Sequence, residues 1–252
     1  ICGPKQQPGA IFLQQSDGSF KPSIQPAFDD DADAEDCAAV FFDADKDGDM
    51  DLYVVSGGYA VQENDSSLQD RLYINENGKF VRKDDWIPAE TISGSCVVPV
   101  DFDNDGDWDL FTGSRCIPGR YPETPKSFLL VNDGKGKFTN QTSVIAPLFS
   151  SLGMVTDAAW ADINNDNKNE LIVCGEWMPV TCFSFTNGKF TDVTTTIFDK
   201  KLSGWWNRLS LVDLDKDGDL DLIAGNWGTN SQIHATEKEP VTMYYDDFDN
   251  NG

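Results

Sequence analysis

The sequence predicts an all-β chain assembled from repeated four-stranded antiparallel units, and three observations predict it. A nine-residue acidic stretch occurs three times, at residues 43–51 (DADKDGDMD), 101–109 (DFDNDGDWD) and 213–221 (DLDKDGDLD), with a weaker copy at 162–170 (DINNDNKNE). Each copy lies between two short apolar, β-rich segments. A second hairpin with a glycine turn follows at a regular distance.

The first hairpin of each unit joins strands A and B through the acidic loop. Residues 37–42, 96–100, 158–161 and 209–212 precede the loops, and residues 52–55, 110–112, 171–173 and 222–224 follow them. Such short runs, bounded by turn chemistry, read as strands. The second hairpin, strands C and D, turns at Asn-Gly or Asp-Gly in residues 72–80, 129–138 and 182–190. These turn residues tolerate positive φ, and flanked by apolar runs they signal a tight hairpin. Residues 11–22 form the same C-D hairpin without its own A and B strands.

From the first loop aspartate to the turn residue runs 32, 31 and 25 positions (Asp43 to Asn75, Asp101 to Asn132, Asp162 to Asn187). From turn to next loop runs 26, 26, 30 and 26, starting at Asp17. A unit of four strands repeated every 50 to 60 residues is the pattern of β-propeller blades. The chain is therefore expected to be a single β-propeller region over residues 1–252, with blades at about 37–85, 96–142, 155–195 and 205–252. Residues 247–252 look like a fifth acidic loop cut off at its glycine, 34 residues after Asp213, where a C-D turn and not a new A-B loop would fall, and the blades present do not close a ring of usual size. A fragment of a larger propeller is the expectation.

Charge supports the same organisation. Of the 43 acidic residues, 20 lie in the four loops and the truncated fifth, which leaves 23 acids against 19 bases elsewhere. The formal charge of -24 thus belongs mostly to the loops. With no basic patch to displace counterions from phosphates, nucleic acid is not an expected partner. No apolar run reaches transmembrane length. The chain opens at Ile1 without an initiator methionine, as expected where a signal peptide has been removed or lies outside the sequence.

Six cysteines (Cys2, Cys37, Cys96, Cys116, Cys174, Cys182) include no CxxC pair, which argues against zinc. Cys174 with Cys182, and Cys96 with Cys116, sit where each pair could bridge neighbouring strands; buried free thiols are the alternative.

The loops carry the chemistry. Carboxylates at positions 1, 3 and 5 of a tight loop point to one centre, glycine at 6 allows the reversal, the carbonyl of 7 turns inward, and a carboxylate at 9 closes the cage. Hard oxygen ligands in this number suit calcium, whereas magnesium demands a stricter octahedron. Without a cation the clustered carboxylates repel. An EF-hand is excluded, because position 12 falls on Val54, Thr112, Val173 and Ala224, inside strands, and not on a bidentate glutamate. The third loop departs from the pattern: Asn164 replaces the second aspartate, Asn167 the glycine, and Glu170 closes.

The pattern D-x-[DN]-x-[DN]-G-x-x-D between strands resembles the FG-GAP/VCBS repeat family, the calcium loops of integrin α-subunit propellers. Segments 153–160 (GMVTDAAW), 175–179 (GEWMP), 204–207 (GWWN) and 225–231 (GNWGTNS) resemble the VCBS-repeat proteins of Bacteroidetes-type bacteria, which often also carry an ASPIC/UnbV domain. The resemblance implies calcium ligands at Asp43, Asp45, Asp47 and Asp51, at Asp101, Asp103, Asp105 and Asp109, and at Asp213, Asp215, Asp217 and Asp221. Asp49, Asp107 and Asp219 would add backbone oxygens. Asp162, Asn164, Asp166, Lys168 and Glu170 match less closely, and Asp247, Asp249 and Asn251 belong to the truncated loop. The resemblance also implies export to the cell surface or periplasm, where millimolar calcium saturates loops of this kind.

In a four-stranded blade the A-B loops and C-D turns leave one face, and the B-C connections leave the other. Tyr59, Arg115, Trp177 and Trp227 occupy equivalent places at the start of the B-C connections, residue types equally suited to binding and to packing between blades. Arg120 and Tyr121 lie in a B-C loop rich in Pro and Gly and are expected to be exposed contacts, and replacing Arg115 is expected to leave stability nearly intact. Enzymatic chemistry is not expected. His234 is the only histidine and has no identifiable partner, no GxSxG or Walker sequence occurs, and the carboxylate pairs are committed to the loops. The expected function is a calcium-binding, integrin-like module that binds a protein or polysaccharide outside the cell. A propeller module of a carbohydrate-active enzyme such as a polysaccharide lyase, and a structural spacer, are the alternatives.

Overall fold

The computed structural model describes residues 2–200, 203–228, 232, 234–236, 238–246 and 248. Strands β1 (Ile11–Gln14) and β2 (Phe20–Ser23) form a separate hairpin around the Asp17-Gly18 turn. Three four-stranded antiparallel blades follow, the third continuous with the next unit in a six-stranded sheet. The first holds β3 (Glu35–Phe42), β4 (Asp51–Gly57), β5 (Arg71–Glu76) and β6 (Lys79–Arg82). In the second are β7 (Ser93–Val100), β8 (Asp109–Cys116), β9 (Phe128–Asn132) and β10 (Phe138–Asn140). β11 (Met154–Ala161), β12 (Glu170–Pro179), β13 (Thr181–Thr186) and β14 (Lys189–Asp192) make the third. β15 (Ser203–Val212) and β16 (Asp221–Asn226) pair as the A and B strands of a fourth. Their succession is that of β-propeller blades, and every A strand begins two to six residues earlier than the apolar segment the sequence suggested.

The B strands explain how the blades stack. β4 is buried along its whole length, because both faces of its sheet are covered. Tyr53 and Val55 join Leu72, Ile74, Val97, Leu110 and Phe128 in a core between the first and second blades. Their neighbours Leu52 and Val54 face the other way, toward Phe28, Tyr73 and Phe80 beside β1. β8 repeats the alternation, with Leu110 in the first interface and Phe111 in the next, packed edge-on against Phe149 at 5.4 Å. Each large side chain removed from water contributes roughly 2 to 3 kcal/mol, so the fold is stabilised mainly between sheets. A period-2 strand covered on both faces reads as a continuous apolar run.

The four A-B hairpins share one register. The residue before each loop pairs with the ninth loop residue: Phe42 with Asp51, Val100 with Asp109, Ala161 with Glu170, Val212 with Asp221. Six residues before each loop the pairing skips one position, at Cys37, Ser95, Thr156 and Asn207. A bulge bends the strand and re-aims its side chain. At Ser95 and Thr156 it points the side chain at the next blade. Gly113 permits this close approach, since a Cβ there would lie 2.5 Å from Cys96 Sγ and 2.7 Å from Val155 Cγ1.

One sequence expectation is corrected, and one of the two cysteine alternatives is selected. Residues 175–179 are not a connection but the end of β12, which runs past its own blade to pair with β15 (Glu176 with Trp205, Met178 with Gly204, Pro179 with Ser203). Backbone groups that would have needed a loop are satisfied by the following blade. The cysteines are all free: Cys182 lies opposite Ile172, not Cys174, and Cys96 opposite Gly113, not Cys116. Among the described residues the fourth unit shows only its A and B strands. The truncated loop, with Asp247, Asp249 and Asn251, falls on residues outside the description.

Candidate functional site

The acidic loops share one backbone path. Positions 4 and 6 take the left-handed conformation in every copy: Lys46 and Gly48, Asn104 and Gly106, Asn165 and Asn167, Lys216 and Gly218. Asn167 stands in for glycine with φ of 65°, a conformation asparagine tolerates better than other side chains. The first aspartate ties the reversal, its carboxylate accepting the N–H of Gly48 at 3.1 Å, of Gly106 at 3.1 Å, of Asn167 at 2.7 Å and of Gly218 at 3.1 Å.

Carboxylates then converge. One oxygen from each of Asp43, Asp45 and Asp51 lies within 4.8 Å of the others, as do those of Asp101, Asp103 and Asp105, and of Asp213, Asp215 and Asp221. The third loop forms no such trio, and Asn164 Nδ2 instead donates to Glu170 Oε1 at 3.2 Å. Asp47, Asp166 and Asp217 accept N–H bonds from Asp49, Lys168 and Asp219 two residues on.

The closing carboxylate links the two hairpins of a blade. Asp51, fully buried, accepts the N–H of Ala44 and of Asn75, both at 2.8 Å. Asp109, also fully buried, accepts the N–H of Asn132 at 2.9 Å. Burial pushes Asp51 up to about 6 and Asp109 up to about 8, with neighbouring carboxylates adding to the shift. Asp45, Asp103 and Glu170 are raised for the same reasons, burial first.

Buried oxygens without partners test whether a cation fits. Asp43 Oδ1, Asp49 Oδ1, Asp107 Oδ1 and Asp109 Oδ2 are enclosed yet accept no hydrogen bond. An unpaired buried carboxylate oxygen is costly, and these are all hard oxygen donors. The first and second loops therefore fit an oxygen-preferring cation, with Lys46 Nζ, 3.8 Å from Asp107, the nearby positive group.

On the opposite rim the structure joins residues of three successive units. Glu176 is buried at 2% exposure. Its Oε1 accepts both Arg115 Nε at 2.8 Å and Arg115 Nη2 at 2.7 Å. Its Oε2 accepts the Tyr121 hydroxyl at 3.3 Å, and that hydroxyl accepts Trp177 Nε1 at 2.8 Å. The Trp177 ring lies 5.3 Å from Trp205, and Trp205 packs edge-on against Trp227 at 4.8 Å. Arg115, Tyr121, Trp177 and Trp227 are thus brought together. Tyr59 and Arg120 are not: Tyr59 stands exposed on the first blade, and Arg120 pairs with Glu63 and Glu123. Glu176 and Trp205 were missed by sequence reasoning. Their signal was that they flank the Gly175 and Gly204 positions whose strands pair.

This arrangement overturns the expectation that Arg115 is dispensable for stability. Removing it would leave a buried carboxylate with only a phenol partner, a change that costs on the order of 1 to 3 kcal/mol where one partner is solvent-exposed. His234 is exposed.

The family profile of the FG-GAP-like repeat matches residues 1–54, 59–112 and 162–224. The chain belongs to the FG-GAP-like repeat family. Each matched FG-GAP stretch includes at least part of an acidic loop and its flanking strands. Comparison with curated proteins gives no match. Among solved structures, the FG-GAP chain is similar to a lectin of Agrocybe aegerita described as recognising non-reducing terminal N-acetylglucosamine. The TM-score is 0.53 at 13% identity, over 89% of this chain. The FG-GAP chain spans 56% of that lectin's length.

Proposed function

We propose that the chain is a calcium-binding recognition module of an exported protein, which holds a protein or glycan ligand without transforming it. The convergence of loop carboxylates around buried, partnerless oxygens carries the reading. Asp43, Asp45 and Asp51 would hold one ion and Asp101, Asp103, Asp105 and Asp109 another, with Asp213, Asp215 and Asp221 a third. Bound calcium would supply the positive charge that these crowded carboxylates lack, and so brace each A-B hairpin against its C-D turn through Asp51 and Asp109. Asp162, Asp166 and Glu170 form the weaker site. An extracellular calcium level would keep the loops filled.

Recognition is assigned to the opposite rim, where long B-C connections sit on a rigid scaffold. The similarity of fold to a lectin is compatible with a sugar ligand, and the exposed aromatic and arginine side chains suit either ligand class. Catalysis is not part of the proposal, because Glu176, the buried carboxylate on that rim, is held by Arg115 and Tyr121.

Calcium titration by calorimetry, paired with thermal melts in calcium and in EDTA, tests the calcium role. Saturable heat and a melting temperature several degrees higher with calcium are expected, since a ligand bound only by the native state stabilises it by mass action. An identical melt in EDTA, with no binding heat, would remove the proposal's foundation.

A further inference from the structure

We infer that the rim built from Arg115, Tyr121, Glu176, Trp177, Trp205 and Trp227 is a binding site for a neutral oligosaccharide of pyranose units. The inference rests on the reading of this rim as the recognising face, and gives that face a ligand class.

The rim holds one strained backbone position. Trp177 has φ of 60°, in the left-handed region that a bulky side chain rarely enters, and it falls where the β12–β15 register skips between Glu176 and Met178. Holding a non-glycine residue there is energetically unfavourable, so the surrounding contacts must maintain it. The bulge turns the indole out of the strand and sets its N–H on the Tyr121 hydroxyl, beside the Trp205 ring.

The polar half of the rim is already paired. Arg115, 56% exposed at its side chain, uses Nε and Nη2 on Glu176, so its planar fork is fixed in orientation. Tyr121 is fixed in the same way, accepting from Trp177 and donating to Glu176. Groups held by one another lose little freedom on binding, which favours affinity. Arg115 and Glu176 cancel in charge, so the rim offers hydrogen bonds without a net field to attract an acidic sugar.

The apolar half is a row of indoles. Trp227 is 50% exposed, and the successive ring separations of 5.3 and 4.8 Å put Trp177 and Trp227 within about 10 Å of each other. The C–H face of a pyranose carries small positive charges that suit the negative face of an aromatic ring. Its hydroxyls suit the neighbouring guanidinium and phenol. One ligand class thus satisfies both halves. A protein partner fits the scale less well, since a stable protein interface covers about 800 Å² per side and 20 to 30 residues, whereas this patch is six side chains.

The test uses the calcium-saturated 252-residue chain on an array of cello-, chito-, xylo-, manno- and galacturono-oligosaccharides, followed by calorimetry with the tightest binder. Binding of a neutral oligosaccharide is expected, at least tenfold weaker in Trp227→Ala and in Arg115→Lys, and unchanged in Tyr244→Ala, which alters another exposed aromatic. Melting in calcium and in EDTA, read on the same samples, reports the calcium role separately. Three results would overturn the inference while leaving the calcium module standing: no neutral oligosaccharide bound, preference for galacturonate oligomers, or full affinity retained by Trp227→Ala with an unchanged melt. Capture of a protein ligand that Trp227→Ala abolishes, with no sugar bound, would overturn it in favour of protein recognition.

Discussion

Ser95 Oγ and the carbonyl oxygen of Val155 lie 2.6 Å apart across the boundary between the second and third blades. Thr156 Oγ1 makes the same bond to Trp206 O at 2.9 Å, one blade further on. Both donors are bulge residues six positions before an acidic loop, and both acceptors precede the bulge of the next blade. The register skip therefore hands a hydroxyl to the neighbouring sheet. At the equivalent place in the first blade stands Cys37, a weak donor. Ser95→Ala should lower stability by about 1 kcal/mol in urea denaturation. Cys37→Ser should raise it by a few tenths to about 1 kcal/mol. A neutral Ser95→Ala would show that the blades are held by their apolar faces alone.

Asp109 carries two roles that substitution can separate. One oxygen accepts the Asn132 N–H, and the other is buried without a partner. Asp109→Asn keeps an acceptor for Asn132 but removes the charge, so the variant should melt at or above the parent temperature in EDTA and gain less from calcium. Asp109→Ala removes the acceptor as well and should cost about 1 to 3 kcal/mol in EDTA and more in calcium, where the lost ligand adds to the lost acceptor. Equal calcium increments in Asp109→Asn and parent would exclude Asp109 from the ligand set.

Much of this architecture is legible in the sequence because its chemistry is local. The loops, their left-handed positions and the Asn-Gly turns are fixed by residues a few positions apart, and a repeated unit shows each signal several times. What could not be read depends on contacts between blades. Residues 175–179 look like a short connection until β15 is present to pair with them. Glu176 is an ordinary acidic residue in sequence, and only the fold sets it beneath Arg115, 61 positions away.

Asp70 gives the first blade a pH dependence of its own. Its carboxylate accepts the Tyr53 hydroxyl and the Ser56 N–H, both at 2.9 Å, but burial outweighs these bonds and pushes its pKa from 3.8 up to about 7. The folded state thus favours the protonated acid. That contribution to stability is fully present below the ordinary pKa and is lost as pH rises toward 7. Asp70→Asn cannot ionise, and relative to the parent it should gain on the order of 1 to 3 kcal/mol between pH 4 and pH 8. Urea midpoints of both proteins in saturating calcium, taken across that range, measure the difference. A constant offset would mean that Asp70 titrates normally.

Trp177 separates backbone strain from side-chain packing. Both Trp177→Ala and Trp177→Gly lose the ring contact with Trp205 and the hydrogen bond to Tyr121, so each should be less stable than the parent. They differ only in what φ of 60° costs, which glycine does not incur. The glycine variant should therefore be the more stable of the two by about 1 kcal/mol, against the usual order in a strand interior. Paired thermal melts in calcium read this directly. If alanine proves the more stable, the left-handed turn at Trp177 is held by the indole itself and relaxes once the ring is gone, and the bulge would then be a consequence of the aromatic row, not the feature that positions it.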